Sequence, residues 1–416
     1  MHTQQDGIEA ILAGYNVDLD GFGGTGKTWI IKQVTDKHTI LFAPTGISAL
    51  NVGGETGHSI FGLPYGIPTQ KDLDNIKPHL RALFKGDSVK RIILDEKSQM
   101  RADHLDLIDY KLRKIRQVDK PFGGIQVVVV GDLWQIPCIV TADEKKYYRR
   151  LYASGFIFHS NVWKEANLKT ILLTKPYRME DEYQVGLLNK IRSKLDGWEE
   201  AVEEINKLCT FKATEDTLTL CLVNADADKI NLQHFKRNKS PVVKYAAKIV
   251  GSFNPKDCIV EPELKLKVGL RAIICANDAS PEKEYKNGQR GIITELKKNS
   301  VGVMLDNGEI VQVVAHKWET TKYKNGLKGL SKSTAGTCEQ MPIRQGNAIS
   351  VNKSQSLTLD ELSLDLGTAR PREATTYVAL SRVRDLTTVH LVRKLTVEDI
   401  VINKDVKDYY DKLRGE

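Results

Sequence analysis

The chain has 416 residues, too many for one small core, and its 41% hydrophobic and 27% charged residues exclude a disordered or low-complexity class. Its 61 Lys and Arg against 53 Asp and Glu leave a net charge of +8, which permits a nucleic-acid partner without requiring one. No apolar run approaches the ~18 residues of a membrane span and no leader follows Met1, so no membrane partner is expected. Six scattered cysteines (Cys138, Cys209, Cys221, Cys258, Cys275, Cys338) without a C-x-x-C pair argue against a zinc module or a disulfide framework and for a reducing, cytoplasmic setting.

Residues 2–13 read as a short amphipathic helix with Thr3 as N-cap and Ile8, Ile11 and Leu12 on one face. It carries Gln4 and Gln5, and a glutamine at this place can pair with N6 and N7 of adenine. A surface glutamine is the plain alternative. An apolar run with Val17 and Leu19 leads into Gly21-Phe22-Gly23-Gly24-Thr25-Gly26-Lys27-Thr28, which fits the phosphate-loop pattern G-x-x-x-x-G-K-[ST]. The glycines let successive N–H groups turn inward on phosphate oxygens, and a helix starting near Lys27 adds its positive end. Lys27 can reach the β- and γ-phosphates of a nucleotide, and the Thr28 hydroxyl can hold Mg²⁺.

Within residues 39–50 a second apolar strand runs into a polar turn and then a helix, with Thr45 and Ser48 at the strand's exit, where loops of α/β sheets carry function. Residues 53–64 then place His58, Ser59 and Phe61 together. They read either as phosphate contact with base stacking or as a turn over a hydrophobic plug. One helix is expected near residues 73–83. The strand Arg91-Ile92-Ile93-Leu94 ends in Asp95 and Glu96, the acid pair a phosphate loop needs. Asp95 would hold Mg²⁺ through water, and Glu96 would orient and deprotonate the attacking water. Residues 105–116 form an amphipathic helix whose solvated face is expected to hold Lys111, Arg113 and Lys114. Val127 to Val130 make a fourth β-branched strand, with Asp132 and Gln135 just past its end. Four such strands alternating with helices give a parallel, doubly wound sheet.

A new unit is expected to begin at residues 171–192, with Arg178 near its start. Residues 217–224 are strand-like, with a helix following. The runs 271–275, 291–296, 301–305 and 309–314, separated by Asn287-Gly288 and Asp306-Asn307-Gly308, suggest a small antiparallel barrel. Residues 315–340, rich in Lys, Gly, Ser and Thr, are expected to be loop. α/β character returns at 348–356, strands are expected at 362–366 and 389–392, and residues 376–384 are expected to be helix.

In this order the motifs resemble those of the superfamily 1 DNA helicases, most closely the petite-integration-frequency (PIF) family. The resemblance runs from about Gln4 to Arg393 and rests on Ala43 to Gly54, Arg101-Ala102-Asp103-His104-Leu105, Pro121-Phe122-Gly123-Gly124-Ile125-Gln126, Gly131 to Pro137, Lys353-Ser354-Gln355 with Leu357-Thr358-Leu359, and Tyr377 to Arg382. It implies an α/β P-loop NTPase of two RecA-like domains with ATP and Mg²⁺ between them and single-stranded DNA across the top. The first would cover residues 1–170 with a wedge insertion at 65–87. The second would cover 171–290 and 341–416, with an SH3-like insertion at 291–340. By the same resemblance Gln4 reads adenine, the loop from Gly23 to Thr28 binds phosphates and metal, and Gln135 senses the γ-phosphate. Arg178 and Arg382 act as arginine fingers, and Thr45, His58, Ser59, Phe61, Ser354 and Gln355 touch DNA. The implied activity is ATP-driven 5′-to-3′ movement and unwinding at forks by a monomer, in DNA replication, repair or recombination. No accessory domain is expected at either end.

The chain departs from the family's pattern at three places. Asp95-Glu96-Lys97-Ser98-Gln99-Met100 stands for Asp-Glu-Ile-Ser-Met, so Lys97 is expected either to lower a carboxylate pKa or to point to solvent. Asn352-Lys353-Ser354-Gln355-Ser356 stands for His-Lys-Ser-Gln-Gly, and Arg372-Glu373-Ala374-Thr375 replaces a Pro-Gly-Gln stretch. The rival readings are a RecD-like or Dda-like helicase, an RNA-directed helicase, and an ssDNA-binding protein whose ATP site only gates affinity.

Overall fold

The computed structural model describes residues 2–214, 216–326, 329–355, 357–367 and 371–414. The chain divides into two compact units, Met1–Tyr177 with Glu319–Gly336, and Arg178–Trp318 with Thr337–Glu416.

The first unit is built on six parallel strands: β1 (Val17–Gly21), β2 (Thr39–Ala43), β3 (Glu55–Thr56), β4 (Arg91–Leu94), β5 (Gln126–Gly131) and β6 (Lys169–Leu173). They lie in the order β3-β2-β4-β5-β1-β6. β1, β2 and β4 are buried along their whole length, as expected of parallel strands covered on both faces. The helices are α1 (Gln4–Leu12), α2 (Lys27–Val34), α3 (Gly46–Val52), α4 (Gly57–Phe61), α5 (Gln70–Asp74), α6 (Pro78–Phe84), α7 (Ala102–Arg116), α8 (Ala142–Leu151) and α9 (Asn161–Glu165). Thr3 starts α1 with a full capping box to Asp6. Ile11 packs with Val17, Leu19, Ile30, Val128 and Ile171 in one core cluster, whereas Leu12, expected on the same face, is exposed.

Three expectations change here. The single helix near 73–83 is two, because Pro78 opens α6 and cannot continue α5. Residues 169–173 do not start a new unit: β6 pairs with β1 from Val17↔Lys169 to Gly21↔Leu173. Lys111 is not on the solvated face of α7. It is buried, and its Nζ donates to the carbonyl of Phe61 at 2.9 Å, satisfying an open end of α4.

The second unit contains α10 (Glu182–Ser193), α11 (Trp198–Leu208), β7 (Thr219–Cys221), α12 (Asn224–Arg237), β8 (Val243–Ala246), β9 (Lys248–Gly251), β10 (Glu263–Leu266), β11 (Arg271–Ile274), β12 (Arg290–Leu296), β13 (Ser300–Leu305) and β14 (Ile310–Val314). It continues with β15 (His316–Gly326), β16 (Gly329–Gln340), β17 (Ile343–Gln345), β18 (Ala348–Ser350), β19 (Leu362–Asp365), α13 (Thr375–Leu380), β20 (Val389–Leu391) and α14 (Lys404–Arg414). A parallel sheet, β18-β7-β19-β20, forms one layer, and a five-stranded antiparallel sheet, β14-β13-β12-β11-β17, forms another around Ile274, Ile293, Val303 and Ile343. The stretch expected to be loop is instead the long pair β15 and β16. Its outer part belongs to the first unit. There the Leu41 N–H donates to the Tyr323 hydroxyl at 3.0 Å, and the Tyr323 N–H donates to Glu55 at 2.7 Å.

Candidate active site

The phosphate loop leaves the C-terminal end of β1, the acid pair leaves β4, and Asp132 and Gln135 leave β5, so one edge of the sheet gathers them. Gly24 and Gly26 have φ of +85° and +86°, left-handed values that glycine takes without penalty. A Cβ at Gly26 would stand 1.9 Å from Gln4 Nε2, so a side chain there would displace the Gln4 amide. Gln4 in turn donates to the Thr25 carbonyl at 3.0 Å, which sets the predicted adenine reader directly beside the loop. Thr25 is buried and its hydroxyl donates to the Phe22 carbonyl. The Thr28 hydroxyl stands at the exposed start of α2. The Tyr177 N–H donates to the Gly24 carbonyl at 2.7 Å, a support that sequence reasoning missed because it is a backbone contact.

Lys27 curls over its own loop, with Nζ donating to Gly21 O at 2.5 Å and Phe22 O at 3.1 Å. Burial lowers its pKa, while Asp132, Asp20, Glu96 and Asp95 pull it back up. Burial pushes Asp95 up to about 6, against a backbone hydrogen bond at Glu96 and the charge of Lys27. Glu96 has φ +57°, a left-handed backbone uncommon outside glycine and typical of strained functional turns. Lys97 does not point to solvent, and the carboxylates it meets are in β1. It is fully buried in ion pairs with Asp18 and Asp20, and the charge acting on Asp95 is that of Lys27. Gln135 is half-buried, its N–H donating to the Asp132 carbonyl.

In the second unit Arg178 and Arg382 meet on Ser381. Arg178 Nη1 donates to the Ser381 carbonyl at 2.9 Å, and Arg382 Nη2 donates to its Oγ at 2.8 Å. Arg178 also donates to Thr358 Oγ1, and burial lowers its pKa. Arg382 Nε and Ser381 Oγ both donate to the Val378 carbonyl, which ends α13 at Leu380, short of the residues 376–384 expected to be helical.

The residues expected to touch DNA divide. Thr45 is exposed at the start of α3, where its Oγ accepts from the Ser48 N–H and donates to the Ser48 hydroxyl. Ser59 is exposed and donates to Glu55, whose pKa burial raises. His58 stacks on Tyr65 at 4.6 Å, and Tyr65 is 89% exposed, an aromatic surface the sequence reading passed over. Phe61 is corrected: only 1% exposed, it packs against Phe42 and Phe84, so the hydrophobic-plug reading holds and no base can stack on it. Ser354 is also corrected, being fully buried with its Oγ donating to the Val351 carbonyl. Gln355 is half-buried, and Ser356 lies outside the described residues.

A phosphate loop after one strand of a parallel sheet, with acids after β4 and β5 of the same sheet, defines a P-loop nucleotide-binding protein. The family model described as PIF1-like helicase matches residues 5–205. Over 98% of its length the chain is 29% identical to the ATP-dependent DNA helicase PIF1 of Danio rerio, and it spans 63% of that relative, less than two thirds. Two solved structures of Bacteroides Pif1 are each 31% identical, cover 99% of this chain and are 96% covered by it. The complex with ADP-AlF4 gives a TM-score of 0.90, and the form bound to ssDNA gives 0.69. The chain therefore belongs to the PIF1-like helicase family, and its two parallel-sheet units are RecA-like domains.

Proposed function

We propose that this chain is an ATP-dependent DNA helicase that moves 5′-to-3′ along single-stranded DNA and opens forked duplexes. The observation that carries this reading is the single sheet edge holding Lys27, Asp95, Glu96 and Gln135. The Bacteroides relatives bound to ADP-AlF4 and to ssDNA support its two halves.

In this reading the chemistry is in-line attack of water on the γ-phosphate, and the protein supplies position and charge. Backbone N–H groups from Gly23 to Gly26 and the Lys27 ammonium hold the phosphates, and Gln4 meets the adenine. Glu96 orients the water and takes its proton, and Gln135 reports the γ-phosphate. Thr28 and Asp95 are suited to Mg²⁺, which is commonly held by one or two protein oxygens together with substrate phosphates. When bound, it would polarise the phosphate oxygens. Arg178 and Arg382 carry the transition-state charge, with Ser381 holding both guanidinium groups in place. Thr45, Ser59, Gln355 and the His58–Tyr65 stack serve the DNA strand by polar contact and stacking.

The test is ATP turnover with and without single-stranded DNA. Turnover that rises with DNA is expected. ATP-dependent DNA binding without turnover would instead make the chain an ATP-gated binding protein.

A further inference from the structure

The six cysteines are scattered along the chain, yet the fold brings two of them together. Cys258 and Cys338 lie 80 positions apart, and their Sγ atoms stand 3.1 Å from each other. Both belong to the second unit. The other four thiols are placed differently. Cys138 donates to the Gly155 carbonyl and Cys275 to the Ile273 carbonyl, Cys209 is buried, and Cys221 packs with Ala227 and Ala348.

Both thiols sit on backbone that is held in place. Cys338 is fully buried near the end of β16. Cys258 is half-buried in the strap of residues 252–262 between β9 and β10. It follows a 3₁₀ turn at Pro255–Asp257, and its N–H donates to the Pro255 carbonyl at 3.3 Å. Phe253 and Val260 are buried on either side of it. The strap is tied to the end of β16 independently of the sulfurs. Gln340 Nε2 donates to the Tyr245 carbonyl at 2.9 Å and to the Pro262 carbonyl at 3.1 Å, and Arg344 donates to the Ile259 carbonyl. The sulfurs therefore face each other between fixed segments, and closing to the ~2.05 Å of a disulfide needs about 1 Å of movement.

We propose that Cys258 and Cys338 form a redox modification site: a low-molecular-weight disulfide such as oxidised glutathione converts the pair into an intramolecular disulfide that staples the strap to the end of β16. The half-exposed Cys258, as its thiolate, attacks one sulfur of the oxidant, breaking its S–S bond and releasing one thiolate. The Cys338 thiolate then attacks the Cys258 sulfur of the mixed disulfide, forming the Cys258–Cys338 bond and expelling the second thiolate. Two cysteine thiols are oxidised, one disulfide is reduced, and the two cysteine protons end on the two released thiols. Burial raises the Cys258 pKa above the ordinary cysteine value, and the neighbouring Cys338 thiol adds to the rise. Exchange is therefore slow at neutral pH and quickens as pH rises. The inference is independent of the nucleotide site and of the helicase reading.

The test incubates the full chain with oxidised glutathione at about pH 8.5, blocks the remaining thiols with iodoacetamide and maps tryptic peptides by mass spectrometry. The expected result is loss of two of the six free thiols, with one cross-linked peptide pair carrying Cys258 and Cys338 that dithiothreitol reverses. The oxidised chain is expected to melt about 5 °C above the reduced one, since the closed loop restricts the unfolded chain. Cys258→Ser and Cys338→Ser should each abolish both the cross-link and the shift. Alkylation of both cysteines after oxidation, a lasting glutathione adduct on Cys258 with Cys338 still free, or cross-links spread among the other four cysteines would overturn the proposal. A complete cross-link that leaves the melting midpoint unchanged would overturn the staple. The peptide map is read on the wild-type chain, so it decides the matter even where a serine variant does not fold.

Discussion

In the proposed mechanism hydrolysis depends most on Lys27, whose ammonium is held by two loop carbonyls and feels the charge of Asp132, Asp20, Glu96 and Asp95. Lys27→Ala is expected to lower DNA-stimulated ATP turnover at least ~100-fold, measured as phosphate release, with an unchanged circular dichroism spectrum. Phe61 tests the opposite kind of role. As a core ring between Phe42 and Phe84, its truncation to Ala should destabilise the fold by about 3–5 kcal/mol in denaturant unfolding. A base-stacking Phe61 would instead lose DNA affinity at constant stability. The sequence could not decide between these, because a ring beside hydroxyls and an imidazole suits a DNA track and a plug equally well. Lys97 was legible only as an oddity. Its partners are 77 and 79 positions earlier in a strand whose two aspartates drew no attention, although charges at alternate positions in a strand before a phosphate loop are a signal that a buried counter-ion exists.

Among elements, the strands carrying the site were the easiest to read. β2, β4 and β5 are β-branched or apolar runs ending in polar turns, the pattern that full burial in a parallel sheet dictates. β6 was misassigned because its Leu172-Leu173 runs on toward Pro176 and Arg178, which looks like a new beginning. β15 and β16 were missed because Lys, Ser, Thr and Gly mask the alternation. Thr321 and Tyr323 are buried while Lys322 and Lys324 are exposed, so the period of two is present but short. Tyr323→Phe tests what this pair does for the first sheet. It leaves the buried Leu41 N–H without its acceptor, and a loss of about 1–3 kcal/mol is expected in thermal or denaturant unfolding. The loop before α14 offers a pH test. Asp399 pairs with Arg393 and accepts from Thr396, and although burial opposes its charge these contacts hold its pKa below the usual carboxylate value. A depressed acid adds stability that is present above its unfolded value near 3.9 and is lost as pH falls through the folded value. Asp399→Asn should therefore cost about 1–2 kcal/mol at pH 7, and the difference from wild type should shrink below about pH 4.

At the scale of the whole molecule, two RecA-like units and a PIF1-like family assignment leave the direction of movement as the central claim. Much of this was legible because the motifs come in a fixed order and those of the nucleotide site each follow a strand. What was not legible was physical closure: which side chains the core takes back, as with Phe61 and Ser354, and where a charge finds its partner, as with Lys111 and Lys97. The most direct measurement is unwinding, with ATP, of otherwise identical duplexes carrying a 5′ single-stranded tail or a 3′ tail. The account predicts ATP-dependent strand separation on the 5′-tailed duplex and little on the 3′-tailed one. Preference for the 3′ tail, or equal unwinding without ATP, would contradict it.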